Sequence, residues 1–369
     1  MDRVLITGGA GFIGMHVARH LLGKGYDVRI LDSLVEQVHH GKRPDGLAPD
    51  AELMIGDTRD ATALSRALSG VDAVIHLAAE VGVGQSMYAV ERYVSGNDLA
   101  TAALFEALLT RNVRRVVVAS SMSIYGEDLY RTGDGRILGN VMRAPRPSSA
   151  ADWEPRDSDG QPLLPLPRPE RKQPSLASVY ALTKYVQEQL TLTLAGAYGM
   201  EGVALRLFNV YGPGQSLSNP YTGVLAIFAS RLLKGQQPVM FEDGLQRRDF
   251  VHVDDVARAF VMALETPGIA GGIFNIGSGQ DRTVLEITTL LAKAMGRNAT
   301  IPDISGKGRA GDIRHCFADV TRARTHLGFE ARKSFGDGLA ELTGWLACQT
   351  ATDKVAETRR ELERHGLVA

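Results

Sequence analysis

Three side chains have the types and spacing to move a proton on and off a carbinol oxygen: Ser121, Tyr180 and Lys184. The run Tyr180-Ala181-Leu182-Thr183-Lys184 opens a helical pattern, so the i, i+4 spacing puts phenol and ammonium on one helix face. A phenol has a pKa near 10 and is a poor base at neutral pH, but an adjacent ammonium favours the phenolate. Lowering that pKa by about 3 units takes about 4 kcal/mol of differential interaction. Ser121 lies in Ala119-Ser120-Ser121-Met122-Ser123-Ile124-Tyr125-Gly126, at the predicted carboxyl end of a strand, where it could hydrogen-bond the same oxygen. Taken alone, a tyrosine and lysine four apart are a common accident that a solvated helix face explains.

What gives the trio weight stands at the start of the chain. Thr7-Gly8-Gly9-Ala10-Gly11-Phe12-Ile13-Gly14 links a predicted strand to a predicted helix and satisfies G-x-G-x-x-G from Gly9. Glycine is needed where backbone must turn tightly and approach a pyrophosphate whose charge rests on helix N-terminal amides. Asp32 closes the second predicted strand, 18 residues beyond Gly14. Its carboxylate suits ribose hydroxyls and repels a 2′-phosphate, so the expected cofactor is NAD rather than NADP. Asp57 and Thr58, after the third strand, are expected at the adenine or as a helix N-cap. Leu77-Ala78-Ala79 ends the fourth strand in small residues that permit close cofactor approach. Beside such a cofactor, the positive nicotinamide ring would further favour the Tyr180 phenolate.

The elements that must position these residues follow from periodicity. Short apolar runs at 3–7, 27–32, 52–56, 73–77 and 114–120 alternate with helical patterns at 12–22, 61–68 and 89–109. Such alternation predicts a parallel sheet with helices on both faces. The expected fold class is α/β: a Rossmann-type doubly wound parallel sheet with a smaller mixed α/β C-terminal substrate domain. A helix over 178–197, a strand over 203–208 and a charged helix over 340–364 are predicted further along. Eight of the 15 prolines fall between Pro145 and Pro174, in a stretch without periodicity.

Composition removes several functions. With 41 basic and 42 acidic residues the net charge is −1, which offers no field to gather nucleic acid or an anionic membrane. No apolar run approaches the about 18 residues of a membrane span. Two cysteines, Cys316 and Cys348, make neither a disulfide framework nor a zinc site by themselves, and no metal is expected. The opening MDRVLITGG does not read as a signal peptide, so a cytoplasmic location is expected.

TGGAGFIG, HLAA, SSMSIYG, YALTK, RLFNVYGPGQ, RRDFVHVDDVA and FNIGSG occur in that order. Together they resemble the extended short-chain dehydrogenase/reductases, in the nucleotide-sugar epimerase and dehydratase group. The resemblance implies NAD as cofactor and a nucleotide sugar as substrate. Tyr180 would be the acid/base, Lys184 would hold the nicotinamide ribose, and Ser121 would polarise the sugar oxygen beside Met122 and Ser123. Asn209 would contact the substrate diphosphate, and Arg248 and Arg309 would clamp it, as guanidinium suits phosphate oxygens. Residues 1–208 would form the NAD-binding domain, joined by 250–276, with 127–177 inserted as a loop; 209–369 would form the substrate domain. The family also implies a homodimer through two long helices, for which Ala102, Ala103, Leu104, Ala107, Leu108, Val186, Leu190 and Leu194 are candidates. The proline-rich insertion is expected to cover the substrate crevice or meet the subunit partner.

Dehydratases and decarboxylases of the group carry a glutamate, and often an aspartate before it, where this chain has Ser123 and Met122. Without a proton shuttle there, the expected reaction is 4-epimerisation through a transient 4-keto sugar and NADH. The segment MYAVERYVSGNDLATAALFEALL and the block around WEPR resemble dTDP-L-rhamnose 4-epimerases, which interconvert dTDP-L-rhamnose and dTDP-6-deoxy-L-talose. Cys316 matches a position that limits room at the hexose C2 in UDP-galactose 4-epimerases. That keeps a UDP-hexose or UDP-N-acetylhexosamine substrate as an alternative, although a buried apolar residue explains it equally. A dehydratase or decarboxylase is the other enzymatic alternative. A non-catalytic NAD-sensing protein is the alternative of another class, and such proteins usually lose Tyr or Lys.

Overall fold

The computed structural model describes residues 2–127, 129–139, 141, 153–217, 219, 221, 223–298, 300–349 and 355–368. Strands β1 (Arg3–Thr7), β2 (Asp27–Asp32), β3 (Glu52–Ile55), β4 (Ala73–His76), β5 (Arg115–Ser121), β6 (Glu201–Leu207) and β7 (Ile273–Ile276) form one parallel sheet. Their order is β7-β6-β5-β4-β1-β2-β3. Because helices cover both faces, central strands carry apolar residues on both sides, and Val116, Val117 and Val118 are fully buried. One face packs on α1 (Phe12–Gly23) and on a helix late in the chain, Val253–Glu265, through Val17, Leu21, Val256 and Phe260. The other packs on Leu64, Leu104, Phe105 and Ala195. Strand order reverses between β1 and β4, and a crevice opens at the carboxyl ends there.

Two predicted helices differ from expectation. The stretch 89–109 divides into Val90–Tyr93, a π-helical turn Val94–Leu99 and α2 (Ala100–Leu108). The wide turn sets Asn97 against helix α3 (Val179–Ala197), where Asn97 Nδ2 donates to Thr183 Oγ1 at 2.9 Å. The expected helix 340–364 is two elements, Phe335–Leu346 and Val355–Arg364. Leu104 and Leu108, candidates for a subunit interface, are spent on the core beneath the sheet. Exposed leucines on the same two helical stretches are Leu99, Leu109 and Leu182.

The described parts of the insertion are more ordered than the composition predicts. Tyr130–Arg131 pairs antiparallel with both Ile137–Leu138 and Leu164–Pro165. Arg168 Nη2 donates to the His315 carbonyl at 3.0 Å, Lys172 Nζ to the Tyr125 carbonyl at 2.6 Å, and the Asn275 amide to Glu170 Oε1 at 2.8 Å. These contacts turn the segment onto the strand His315–Cys316 and the end of β7. The described residues of 127–176 do not line the central cavity, so the cover expected over the crevice is not formed by them. Pro145 and Pro147 lie outside the described residues.

Candidate functional site

A cavity of about 870 Å³ runs from the glycine turn to the last third of the chain. At its near end the turn leaves no room for side chains. Gly8 has φ +69°, and a Cβ there would meet the Ala78 amide nitrogen at 2.7 Å. A Cβ on Gly14 would sit 2.5 Å from Gly9 Cα. Gly11 is the N-cap of α1 and supplies no side-chain cap, so first-turn amides at Phe12 and Ile13 remain for an anion at the cavity wall. Leu77, Ala78 and Ala79 line the same end.

Asp32 Oδ2 accepts from the Ala10 amide at 3.0 Å and Oδ1 from the Leu34 amide at 2.9 Å. This ties the carboxylate to the turn while it faces the cavity. His39 Nε2 stands 3.8 Å from Asp32 Oδ1; burial pushes its pKa down against the pull of Asp32, so a neutral ring leaves the acid's charge intact. Asp57 and Thr58 also line the cavity. Neither caps the following helix, because Asp60 takes that place by accepting from the Thr62 amide at 2.8 Å. Asp57 instead holds Arg59, whose hydrogen bond keeps the carboxyl below its usual range. The near end therefore fits a dinucleotide by its cradle, its first-turn amides and the acid that faces the cavity.

Ser121, Met122, Ser123, Tyr180 and Lys184 meet in the middle of the cavity. Ser121 ends β5, and its oxygen accepts from the Ser123 amide at 3.1 Å. Ser178 caps α3 by accepting from the Ala181 amide at 3.1 Å, which places Tyr180 in the first turn. Burial raises the phenol pKa, and only the hydrogen bond from Ser121 opposes it. The chain alone therefore does not produce the lowered phenol pKa that the sequence suggested. Lys184 explains part of this: its ammonium donates to Gln187 Oε1 at 2.6 Å, and burial pushes its pKa down to about 7 against the pull of Glu188 and Asp98. Gln187 in turn reaches Thr101 and the buried His76, which burial holds at about 3 and so neutral. Asp98, raised to about 6 by burial, keeps one oxygen without a partner. Gln187 and Asp98 were not singled out by the sequence, because neither belongs to a spaced motif.

At the far end stand Asn209, Arg248 and Arg309. Asn209 Oδ1 is buried and without a hydrogen bond, an orphan acceptor at a cavity wall. Arg248 donates to the carbonyls of Arg247 and Arg314, both at 2.9 Å. Arg309 is paired with Asp312 through two contacts, at 3.0 and 2.6 Å. Tyr221, Phe241, Trp345, Thr358 and Leu362 join this wall, and no local pattern announces them because each arrives from a separate stretch. Cys316 does not line the cavity; it is fully buried among Tyr125, Phe208, Ile313 and Ala318, with Met122 packed on that cluster.

Among the described residues four carboxylates line the cavity: Asp32, Asp57, Glu80 and Asp312. Each is occupied, by backbone amides, Arg59, Arg92 and Arg309 respectively. Among the described residues, none of these acids is left free beside Ser121 and Tyr180 to shuttle a second proton.

The chain is similar to proteins of known activity over nearly its whole length. A dTDP-L-rhamnose 4-epimerase of Burkholderia thailandensis is 37% identical over 351 residues, 94% of this chain and 95% of that protein. The solved UDP-glucose 4-epimerase of Thermotoga maritima, with UDP-glucose, superposes with a TM-score of 0.78 at 30% identity, covering 94% of this chain and 98% of the other. The Thermus thermophilus UDP-glucose 4-epimerase in complex with NAD gives 0.72 at 29% identity, over 94% and 100%. The sequence pattern of the NAD dependent epimerase/dehydratase family matches residues 4–146 and 158–277. On these grounds the chain belongs to the NAD-dependent epimerase/dehydratase family.

Proposed function

We propose that this protein is an NAD-dependent nucleotide-sugar 4-epimerase acting on a dTDP-6-deoxy-L-hexose, interconverting dTDP-L-rhamnose and dTDP-6-deoxy-L-talose. The observation that carries the reading is the meeting of Ser121, Tyr180 and Lys184 in a cavity whose lining carboxylates are all engaged. Bound NAD, cradled by Gly8, Gly11, Phe12, Ile13 and Gly14 with Asp32, Asp57 and Thr58 alongside, supplies a hydride acceptor and donor at the sugar carbon. Tyr180 takes the proton of the C4 hydroxyl and later returns one to the carbonyl oxygen. Ser121 donates to that oxygen in both directions. Lys184 holds positive charge beside the phenol below its pKa of about 7, where it favours the phenolate. Asn209, Arg248 and Arg309 hold the diphosphate, Arg309 sharing itself between Asp312 and phosphate.

The choice of epimerisation over dehydration rests on Met122 and Ser123, which offer no acid where elimination needs one. Similarity to the Burkholderia enzyme favours the dTDP-deoxyhexose. The burial of Cys316 away from the cavity removes the support it lent to an N-acetylated sugar. Residues 1–208 with 250–276 would serve the cofactor and 209–369 the substrate. A cytoplasmic homodimer, joined through the faces that expose Leu99 and Leu182, completes the proposal. Among the described residues no helix is long and apolar enough to cross a membrane.

The test is proton NMR of the purified protein with dTDP-L-rhamnose, dTDP-glucose, UDP-glucose and UDP-N-acetylglucosamine. A second anomeric signal from the first alone is expected. No epimer from any of the four overturns the reading, and a lasting keto sugar or released CO2 replaces it with dehydratase or decarboxylase chemistry.

A further inference from the structure

The last helix of the chain, Val355–Arg364, is short and highly charged, and a helix of that length is marginal in water unless it docks. It docks at the rim of the cavity. Leu362 is 3% exposed and lines the wall, and so does Thr358. A Cβ on Gly84 would meet Leu362 Cδ2 at 3.2 Å and Arg309 Cδ at 4.0 Å, so the leucine and the arginine stem converge on Gly84. Beyond the helix the chain pairs with the stretch that carries Arg309. The Ala310 amide donates to the Leu367 carbonyl at 2.9 Å, and Arg309 forms a backbone bridge with Val368. Side-chain contacts of its other residues fix the helix in place. His365 stacks on Tyr88 at 4.7 Å and 5°, the Tyr221 hydroxyl donates to Glu361 Oε2 at 3.3 Å, and Lys307 pairs with Glu363 at 3.0 Å.

We propose that residues 358–368 are a positioning element of the substrate site: they hold the Arg309 main chain at the cavity and close the mouth beside the diphosphate with Leu362. Arg309 alone is a long side chain on an irregular stretch, already paired with Asp312. A guanidinium that must share itself between a carboxylate and a phosphate needs its backbone fixed, and the bridge to Val368 fixes it. The proposal rests on the reading of Arg309 as a diphosphate ligand.

The test uses the full-length, NAD-loaded protein with Leu362→Asp, Arg309→Gln, the double variant, and His365→Ala as a mild change on the exposed side. Calorimetric titration with dTDP and UDP, and kcat and KM on the epimerised sugar, are the readouts. Leu362→Asp is expected to weaken the preferred nucleoside diphosphate about 10-fold, which is about 1.4 kcal/mol. KM rises while kcat and bound NAD hold. The double variant is expected to bind no worse than Arg309→Gln, since residues that act through one another are non-additive. His365→Ala should shift binding in the same direction by less, and it keeps the test open if Leu362→Asp fails to fold. Parent-like affinity in the variants, or losses that add in full, overturns the proposal. A parent protein that epimerises no nucleotide sugar overturns instead the reading on which it rests.

Discussion

The two ends of the cavity are built from different material. Around the glycine turn the walls are main chain: Gly8 against Ala78, Gly14 against Gly9, and Asp32 bound to two amides. Around Arg309 the wall is a pair of charged side chains, Arg309 on Asp312, and behind that wall, off the cavity, Arg314 stands among Glu154, Glu242 and Asp243. A backbone cradle is fixed by steric exclusion and keeps its shape whether or not a ligand is bound. A wall of paired charges can exchange partners, which suits a substrate that enters, turns over and leaves. The cofactor end is therefore a mould and the substrate end an exchangeable network.

The chemistry between them gives the largest expected effect. Tyr180→Phe removes the hydroxyl that the proposed mechanism uses to carry the proton and should lower kcat by about 10²–10⁴-fold. Retention of NAD after gel filtration and nucleotide affinity should both survive, because neither end is touched. A fall in all three would mean that the ends are not independent. Next comes the mould. Gly14→Ala places a Cβ 2.5 Å from Gly9 Cα, so the backbone must yield. A cost of about 1–3 kcal/mol and loss of co-purifying NAD are expected in thermal unfolding and absorbance. Gly23→Ala, where a Cβ meets nothing within 4 Å at the end of the same helix, is the control and should leave both unchanged.

The charged end should respond to pH instead. Burial works to raise the Glu154 pKa, but hydrogen bonds from His315 and Arg314 outweigh it and hold it at about 2, against an ordinary 4.5. A carboxyl depressed in this way stabilises the fold above pH 4.5, and the contribution is lost as pH falls toward 2. Glu154→Gln is expected to cost about 1.5–3 kcal/mol at neutral pH in denaturant unfolding, the range for hydrogen bonds to charged groups. The gap between parent and variant should close as the solution is acidified. A gap independent of pH would remove the ion pair as its cause.

This division also explains what the sequence makes legible. Gly8, Gly14 and Asp32 can be read because their roles are local, set by strand, turn and helix within about thirty residues. Tyr180 and Lys184 can be read because helix spacing fixes them on one face. The π-turn at Val94–Leu99 cannot: its sequence looks like ordinary helix, and packing of Asn97 on Thr183 decides it. Leu104 and Leu108 carry the same apolar period whether they face a core or a partner, so periodicity alone misassigns them. Glu154, Leu362 and Val368 reach Arg314, Gly84 and Arg309 across 160, 278 and 59 residues, and no motif records such distances. The proline-rich segment reads as loose for the same reason, since Glu154 and Lys172 anchor it through groups far along the chain.

The smallest expected effect lies back at the mould, and it asks whether the mould alone chooses the cofactor. Asp32→Asn keeps an acceptor for the Leu34 amide and removes the negative charge that faces the cavity. Two like charges about 4 Å apart repel by about 4 kcal/mol at an effective dielectric constant near 20, an upper range for a site partly open to water. Losing that repulsion should shift the ratio of NADP to NAD affinity upward by about tenfold, or about 1.4 kcal/mol, with stability little altered. Neutral His39 supplies no cation to grip the added phosphate, so the change should relax preference without reversing it. An unchanged ratio in cofactor titrations would put the selectivity in the backbone turn itself, making the near end a mould in charge as well as in shape.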